Sequence, residues 1–225
     1  MNRQENIRKA YRLTGSNSFY DGMITCSTLS GRAVCRLVWA MNQNDSVNYL
    51  NQALSGIPAD FNGKLLEVPV GTGVLTMPVY QSLPCAQITC LDYSQDMMAQ
   101  AQVKAEHLKL NNVSFVWGDV GALNSPDESF DIVLSLNGFH AFPDKKAAYR
   151  ECYRVLKPGG TFCGCFYILG ENKRTDWFIK HIYTPKGFFT PPFDTLSSLK
   201  SRLSQMYASS QITNVKSIAS FICRK

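Results

Sequence analysis

The sequence has no apolar run approaching the ~20 residues that a helix needs to cross a bilayer. Residues Met1 to Arg12 are polar and charged and lack the apolar centre of a secretory leader, so a cytoplasmic location is the expectation. There are eight cysteines but no Cys-x-x-Cys pair, the usual spacing of a thiolate metal site or redox motif. Cys85, Cys90, Cys163, Cys165 and Cys223 fall in or beside apolar segments, and Cys152 falls in a helical pattern. The expectation is eight reduced thiols acting as small hydrophobes, with no metal bound. Arginine-rich runs, internal repeats and low-complexity tracts are all missing. The formal charge is +6, and from Asp144 to Lys225 there are 14 Lys and Arg against 5 Asp and Glu. Such an excess could attract RNA, an anionic lipid surface or an acidic substrate. A solvated basic face is the simpler reading.

What is present begins at Lys64. The apolar run Leu65 to Val70 opens onto Gly71-Thr72-Gly73, a helix-compatible run Val74 to Ser82 follows, and the next apolar segment, Ala86 to Leu91, ends in Asp92. Glycines lack Cβ, so the chain can turn tightly and a ligand can approach the backbone. The free N–H groups of a helix start favour a carboxylate or phosphate. An acid 19 positions past the last glycine, at the tip of the second strand, can accept hydrogen bonds from ribose hydroxyls.

The pattern continues. Val113 to Trp117 reads as a strand ending in Gly118-Asp119-Val120. Phe130 to Leu136 reads as another, ending in Asn137-Gly138-Phe139-His140. A helix over Lys145 to Val155 stops at Leu156-Lys157-Pro158-Gly159-Gly160, and a strand follows over Thr161 to Leu169. Alternating strand and helix imply a parallel sheet. Upstream, Val34 to Met41 and Val47 to Leu54 read as helices, the second capped from Asn44-Asp45-Ser46. Between Gly170 and Ala208 lies a stretch rich in aromatics, with helical pieces near Thr175 to Tyr183 and Thr195 to Met206. It reads either as packing against the sheet or as an apolar lid over a pocket. Ile212 to Lys216 and Ser220 to Arg224 look like short strands.

Glu67-Val68-Pro69-Val70-Gly71-Thr72-Gly73, Leu91-Asp92-Tyr93-Ser94, Gly118-Asp119-Val120, Phe130-Asp131-Ile132-Val133 and Arg154-Val155-Leu156-Lys157-Pro158-Gly159-Gly160 together resemble the class I S-adenosylmethionine-dependent methyltransferases. The resemblance covers about residues 60 to 170. Tyr20-Asp21-Gly22-Met23, then Ser30 and Trp39, more loosely resemble the segment preceding the glycine turn in ubiquinone/menaquinone-type C-methyltransferases. The family usually has glycine or a small residue where this chain has Pro69 and Val70. The resemblance implies an α/β fold with a Rossmann-like, seven-stranded, mostly parallel sheet, an antiparallel C-terminal hairpin and a helical and aromatic cap. Its parts would be a helical cap over residues 1–60, a cofactor-binding core over 61–169, an aromatic lid over 170–210 and closing strands over 211–225. The cofactor would be S-adenosyl-L-methionine. Glu67, Gly71, Thr72 and Gly73 would surround its methionyl part, and Asp92 would hold the ribose. Tyr93 and Met97 would lie against ribose or adenine. Asp119 and the Val120 N–H would address the adenine, and Asn137 the methionine side.

Methyl transfer from a sulfonium needs alignment and exclusion of water more than acid–base chemistry. His140, at the end of the strand carrying Asn137, could deprotonate a phenol or enol, and Tyr20 could orient the substrate. His181 is a weaker pocket candidate, His107 should be exposed, and Asp131 and Asp144 read as structural. Small, partly apolar acceptors are the expectation, with no nucleic acid and no membrane span. An RNA methyltransferase and a non-catalytic S-adenosylmethionine-binding protein are the alternatives. The first lacks the Pro-Pro-Tyr/Phe signature of amino-methylating enzymes. An NAD-dependent dehydrogenase would want a third glycine where Thr76 stands. Thiol ligation of arsenite would need several cysteines over the cofactor cleft, where only Cys26 and Cys35 could lie.

Overall fold

The structure, a computed structural model, describes residues 18–225, with side chains from Asp21 onward. The expectations for residues 1–15 and for the Tyr20 side chain lie outside the described residues.

Three helices come first: α1 (Ser18–Ile24), α2 (Leu29–Val38) and α3 (Gln43–Leu54). Thr28 caps α2 by accepting the Gly31 N–H, and Asn42 caps α3 in a reciprocal box with Asp45. Both α2 and α3 therefore start a turn or more before the apolar residues that suggested them, and Asn42 replaces Asn44–Ser46 as the cap. The core then runs β1 (Lys64–Glu67), α4 (Met77–Gln81), β2 (Gln87–Asp92), α5 (Gln95–His107), β3 (Val113–Trp117), β4 (Phe130–Leu136), α6 (Lys145–Val155) and β5 (Leu156–Tyr167). Next come α7 (Lys173–Phe178), which continues as a π-helical turn over Ile179–Tyr183, then α8 (Leu196–Met206), β6 (Ser209–Val215) and β7 (Ile218–Arg224).

The strand order is β3-β2-β1-β4-β5-β7-β6. The first five are parallel, and β7 runs antiparallel to both β5 and β6. The fold is thus a Rossmann-like, mostly parallel seven-stranded sheet closed by an antiparallel hairpin. Successive strand residues point to opposite faces. Leu66, Val133, Phe162 and Phe166 pack under α6 and α8, while Leu65, Ile132, Leu134 and Cys163 pack under α3, α4 and α5. The order reverses at β1, between β2 and β4, and a crevice opens beyond the carboxyl ends of these strands.

Local chemistry explains the shifted boundaries. Only Met77–Gln81 of the run Val74 to Ser82 is helical, because Pro78 has no N–H and is tolerated only in a first turn. β5 starts at Leu156 rather than Thr161. Leu156 pairs with Phe130, the Gly159 N–H donates to Lys225 O, and Gly160 O accepts the Lys225 N–H.

One expectation is overturned. Cys26 and Cys35 are joined as a disulfide, with Cα atoms 6.7 Å apart. The cause is a close crossing of α1 and α2, where a Cβ on Gly31 would lie 2.1 Å from Gly22 O. Sequence spacing carries no sign of that crossing. The other six cysteines are free, all buried except Cys85. Burial pushes Cys163 and Cys165 up to about 12, so they remain thiols.

Candidate active site

Two cavities lie at the carboxyl ends of β1, β2 and β4. The first, of about 130 Å³, is built on the turn after β1. Gly71 (φ +57°) and Gly73 (φ +69°) adopt left-handed backbone that side chains disfavour. A Cβ on Gly73 would also meet Met77 Cγ at 2.9 Å and Ala101 Cβ at 3.0 Å. The Gly71 N–H donates to Asp92 Oδ2, and the Ser94 N–H donates to Asp92 Oδ1, each at 2.7 Å. The acid at the tip of β2 is thereby locked to the glycine turn and to the cap of α5. Burial pushes Asp92 up to about 6 in spite of these donors.

Glu67 ends β1 and is buried. It accepts the Tyr80 hydroxyl at 2.8 Å, and burial pushes it up to about 8. Thr72 Oγ1 donates to Asp21 Oδ1 at 2.5 Å, and Lys104 Nζ pairs with Asp21 Oδ2 at 2.9 Å, so α1 is strapped across the turn. Met97, in the first turn of α5, is buried. Tyr93 stands at the rim, stacked on Trp117 with ring centroids 6.3 Å apart. Asp119 Oδ1 accepts the Gly121 N–H at 2.8 Å, which sets the turn that buries Val120. Asn137 follows β4 with φ 54°, a conformation asparagine tolerates better than most residues.

All ten residues named from the sequence for the cofactor line this first cavity: Glu67, Gly71, Thr72, Gly73, Asp92, Tyr93, Met97, Asp119, Val120 and Asn137. Ile24, Pro69, Leu75 and Phe142 also line it and were not foreseen. Among the described residues its wall holds three acids, Glu67, Asp92 and Asp119, and no Lys or Arg. That set of acceptors suits a ligand carrying sulfonium and ammonium charges and a ribose. It does not suit the diphosphate of a dinucleotide.

The second cavity, of about 270 Å³, is larger and mainly apolar. Met23, Trp39, Met41, Tyr49, Tyr183, Phe188 and Phe189 line it, with His140 as a polar group and Lys186 at the exposed side. The aromatic stretch after Gly170 therefore serves both readings. Phe189 and Phe193 pack on Tyr167 of β5, while Tyr183, Phe188 and Phe189 face the cavity. The His140 ring stacks on Phe189, centroids 4.1 Å apart and planes 10° apart. Its Nδ1 accepts the Tyr167 N–H at 3.3 Å, which leaves the proton of the neutral ring on Nε2. Burial, helped by the nearby Lys145 charge, depresses it to about 3. The ring is thus uncharged and able to donate a hydrogen bond.

Ile24 and Asn137 line both cavities. His181 lies elsewhere, exposed and stacked on Trp177 at 5.0 Å, and His107 is exposed at the end of α5. Asp131 takes Lys157 Nζ at 2.7 Å and the Lys64 N–H at 2.8 Å, and Asp144 caps α6. Sequence spacing carries no sign of the Asp21 contact, because its partner Thr72 is 51 positions away.

Comparison with known proteins adds four findings. A family described as "Methyltransferase domain" matches residues 65–160. The demethylmenaquinone methyltransferase of Thermus thermophilus is 39% identical over 97 residues, which is 43% of this chain and 44% of that protein. The 2-methyl-6-phytyl-1,4-hydroquinone methyltransferase 1 of Oryza sativa is 32% identical over 114 residues, 51% of this chain and 32% of that protein. The matched stretch spans less than half the length of either relative. The crystal structure of the [4+2]-cyclase SpnF superposes with a TM-score of 0.66 at 18% identity, covering 92% of this chain and 94% of that one. At that identity the likeness speaks for the fold alone. Residues 65–160, less than half of this chain, thus match a methyltransferase domain, and the cofactor of that family is S-adenosylmethionine.

Proposed function

We propose that the chain transfers the methyl group of S-adenosylmethionine to a small, mostly apolar ring acceptor held in the second cavity. The observation that carries this reading is the shared wall: Ile24 and Asn137 border both cavities, so a donor in one lies beside an acceptor in the other. The two relatives are named for ring acceptors of the quinol kind. An acceptor of that class fits a cavity lined by Trp39, Tyr49, Tyr183 and Phe189. A polynucleotide would want a continuous basic groove instead.

In this reading the glycine turn and Glu67 hold the methionyl part, and Asp92 accepts the ribose hydroxyls. Tyr93 and Met97 flank ribose and adenine. Asp119 and the Val120 N–H address the adenine edge, and Asn137 meets the methionine side. Bound S-adenosylmethionine supplies an activated methyl group. The chain's own residues align the acceptor and keep water out. His140 acts as a donor rather than a base: its Nε2–H holds an acceptor oxygen that has lost its proton to water, and so orients the ring toward the methyl group. Tyr20 stays a second candidate for orienting the acceptor.

The test incubates purified protein with methyl-labelled S-adenosylmethionine and a panel of short-chain hydroquinones and phenols. S-adenosylhomocysteine should form with at least one hydroquinone. His140→Ala should lower kcat with little change in S-adenosylhomocysteine affinity. No turnover with any ring acceptor by a protein that binds the cofactor would reject the acceptor class. Full activity in His140→Ala would remove that residue from catalysis.

A further inference from the structure

Two solvent-facing stripes lie side by side on the cap. On α2 they comprise Leu29, Arg32, Ala33, Arg36 and Leu37, at helical spacing on one face. On α7 and its π-helical continuation they comprise Lys173, Arg174, Trp177, Lys180 and His181. Leu29 is 83% exposed, Leu37 58% and Trp177 53%. The opposite faces are buried through Gly31, Cys35 and Val38 on α2 and through Thr175 and Ile179 beyond. Arg174 Nη2 donates to Arg36 O at 2.8 Å, and Thr175 Oγ1 donates to Val38 O at 2.7 Å, which fixes the stripes edge to edge.

Neither stripe shows an exposed acid. Asp176 turns inward, accepting the Tyr167 hydroxyl at 2.7 Å and the Gly170 N–H at 3.1 Å. Glu171, just ahead of α7, accepts from Asn214 Nδ2 at 3.0 Å.

We propose that this face docks on the surface of an anionic phospholipid bilayer. Leucine and tryptophan interleaved with arginine and lysine are what an interface helix presents: the apolar groups enter the acyl boundary and the cations stay at the phosphates. The face also borders the second cavity. Val34 and Cys35 of α2 line that cavity, as do Ile182, Tyr183 and Lys186 just past α7. Docking would set the mouth of an apolar cavity against the apolar phase. A polynucleotide would use the same cations but would gain nothing from Leu29 and Leu37.

The experiment co-sediments the full chain with vesicles of phosphatidylcholine alone, or of phosphatidylcholine mixed with phosphatidylglycerol, with and without a short RNA as competitor. The chain should bind the mixed vesicles, bind the neutral ones weakly, and come off as salt rises. Arg36→Gln combined with Lys180→Gln should lower partitioning by roughly fivefold per charge removed. Leu37→Ser combined with Trp177→Ser should also release the protein, at unchanged net charge and unchanged melting temperature. Absence of vesicle binding, or variants that bind like the parent, would overturn the proposal. So would RNA binding that displaces the vesicles and is insensitive to Leu37→Ser and Trp177→Ser.

Discussion

Asp92 accepts one backbone N–H on each oxygen, from Gly71 and from Ser94. A carboxylate offers about four lone-pair positions, so two remain for a ligand. Asp92→Ala removes those positions and also frees the glycine turn. The expected cost to S-adenosylhomocysteine binding is roughly 1–3 kcal/mol, read by calorimetry. Equal affinity in parent and variant would take Asp92 out of the site. Single residues were legible in the sequence where they sit at the end of a strand or in the turn beside it. Glu67, Asp92 and Asn137 are of that kind, because strand periodicity ends at a definable residue. Ile24 and Asp21 were not, since they reach the turn from a helix remote in the chain. The tautomer of His140 was equally hidden, because it is set by the Tyr167 N–H of a different strand.

At the scale of elements, β3, β4 and α6 have the limits that their apolar patterns suggested. Where elements depart from expectation, the reason is a polar or backbone contact that periodicity does not register: Thr28 and Asn42 as caps, Pro78 in a first turn, and Lys225 bonded to Gly159 and Gly160. The crossing of α1 and α2 is of the same sort. Gly31 tolerates no side chain there, since the obstacle is the carbonyl of Gly22 rather than a movable side chain. Gly31→Ala should force the two helices apart and destabilise them by roughly 1–3 kcal/mol. Hydrogen exchange should then speed up in Ser18–Ile24 and Leu29–Val38, with the central strands unaffected. Unchanged protection in those two helices would show that the crossing is not tight.

For the molecule as a whole, buried ionisable groups set opposing pH dependences. Glu67 is raised from 4.5 to about 8, so its contribution to stability is present below 4.5 and is lost as pH rises through 8. Asp92, raised from 3.8 to about 6, acts in the same direction over a lower range. His140 is depressed from 6.5 to about 3, so its contribution is present above 6.5 and is lost as pH falls toward 3. The trends oppose one another between pH 3.8 and 6.5, and between 6.5 and 8 Glu67 dominates. Urea denaturation should show stability falling over that upper interval, with a slope of up to ~1.4 kcal/mol per pH unit. Glu67→Gln should flatten the fall, and an identical slope in the variant would place its origin elsewhere. The wall formed by Ile24 and Asn137 has a thermodynamic consequence at this same scale. Two ligands that press on one partition have linked equilibria: by whatever factor the first alters the affinity of the second, the second must alter that of the first. A substitution at either position that alters this shared factor alters it equally for both ligands.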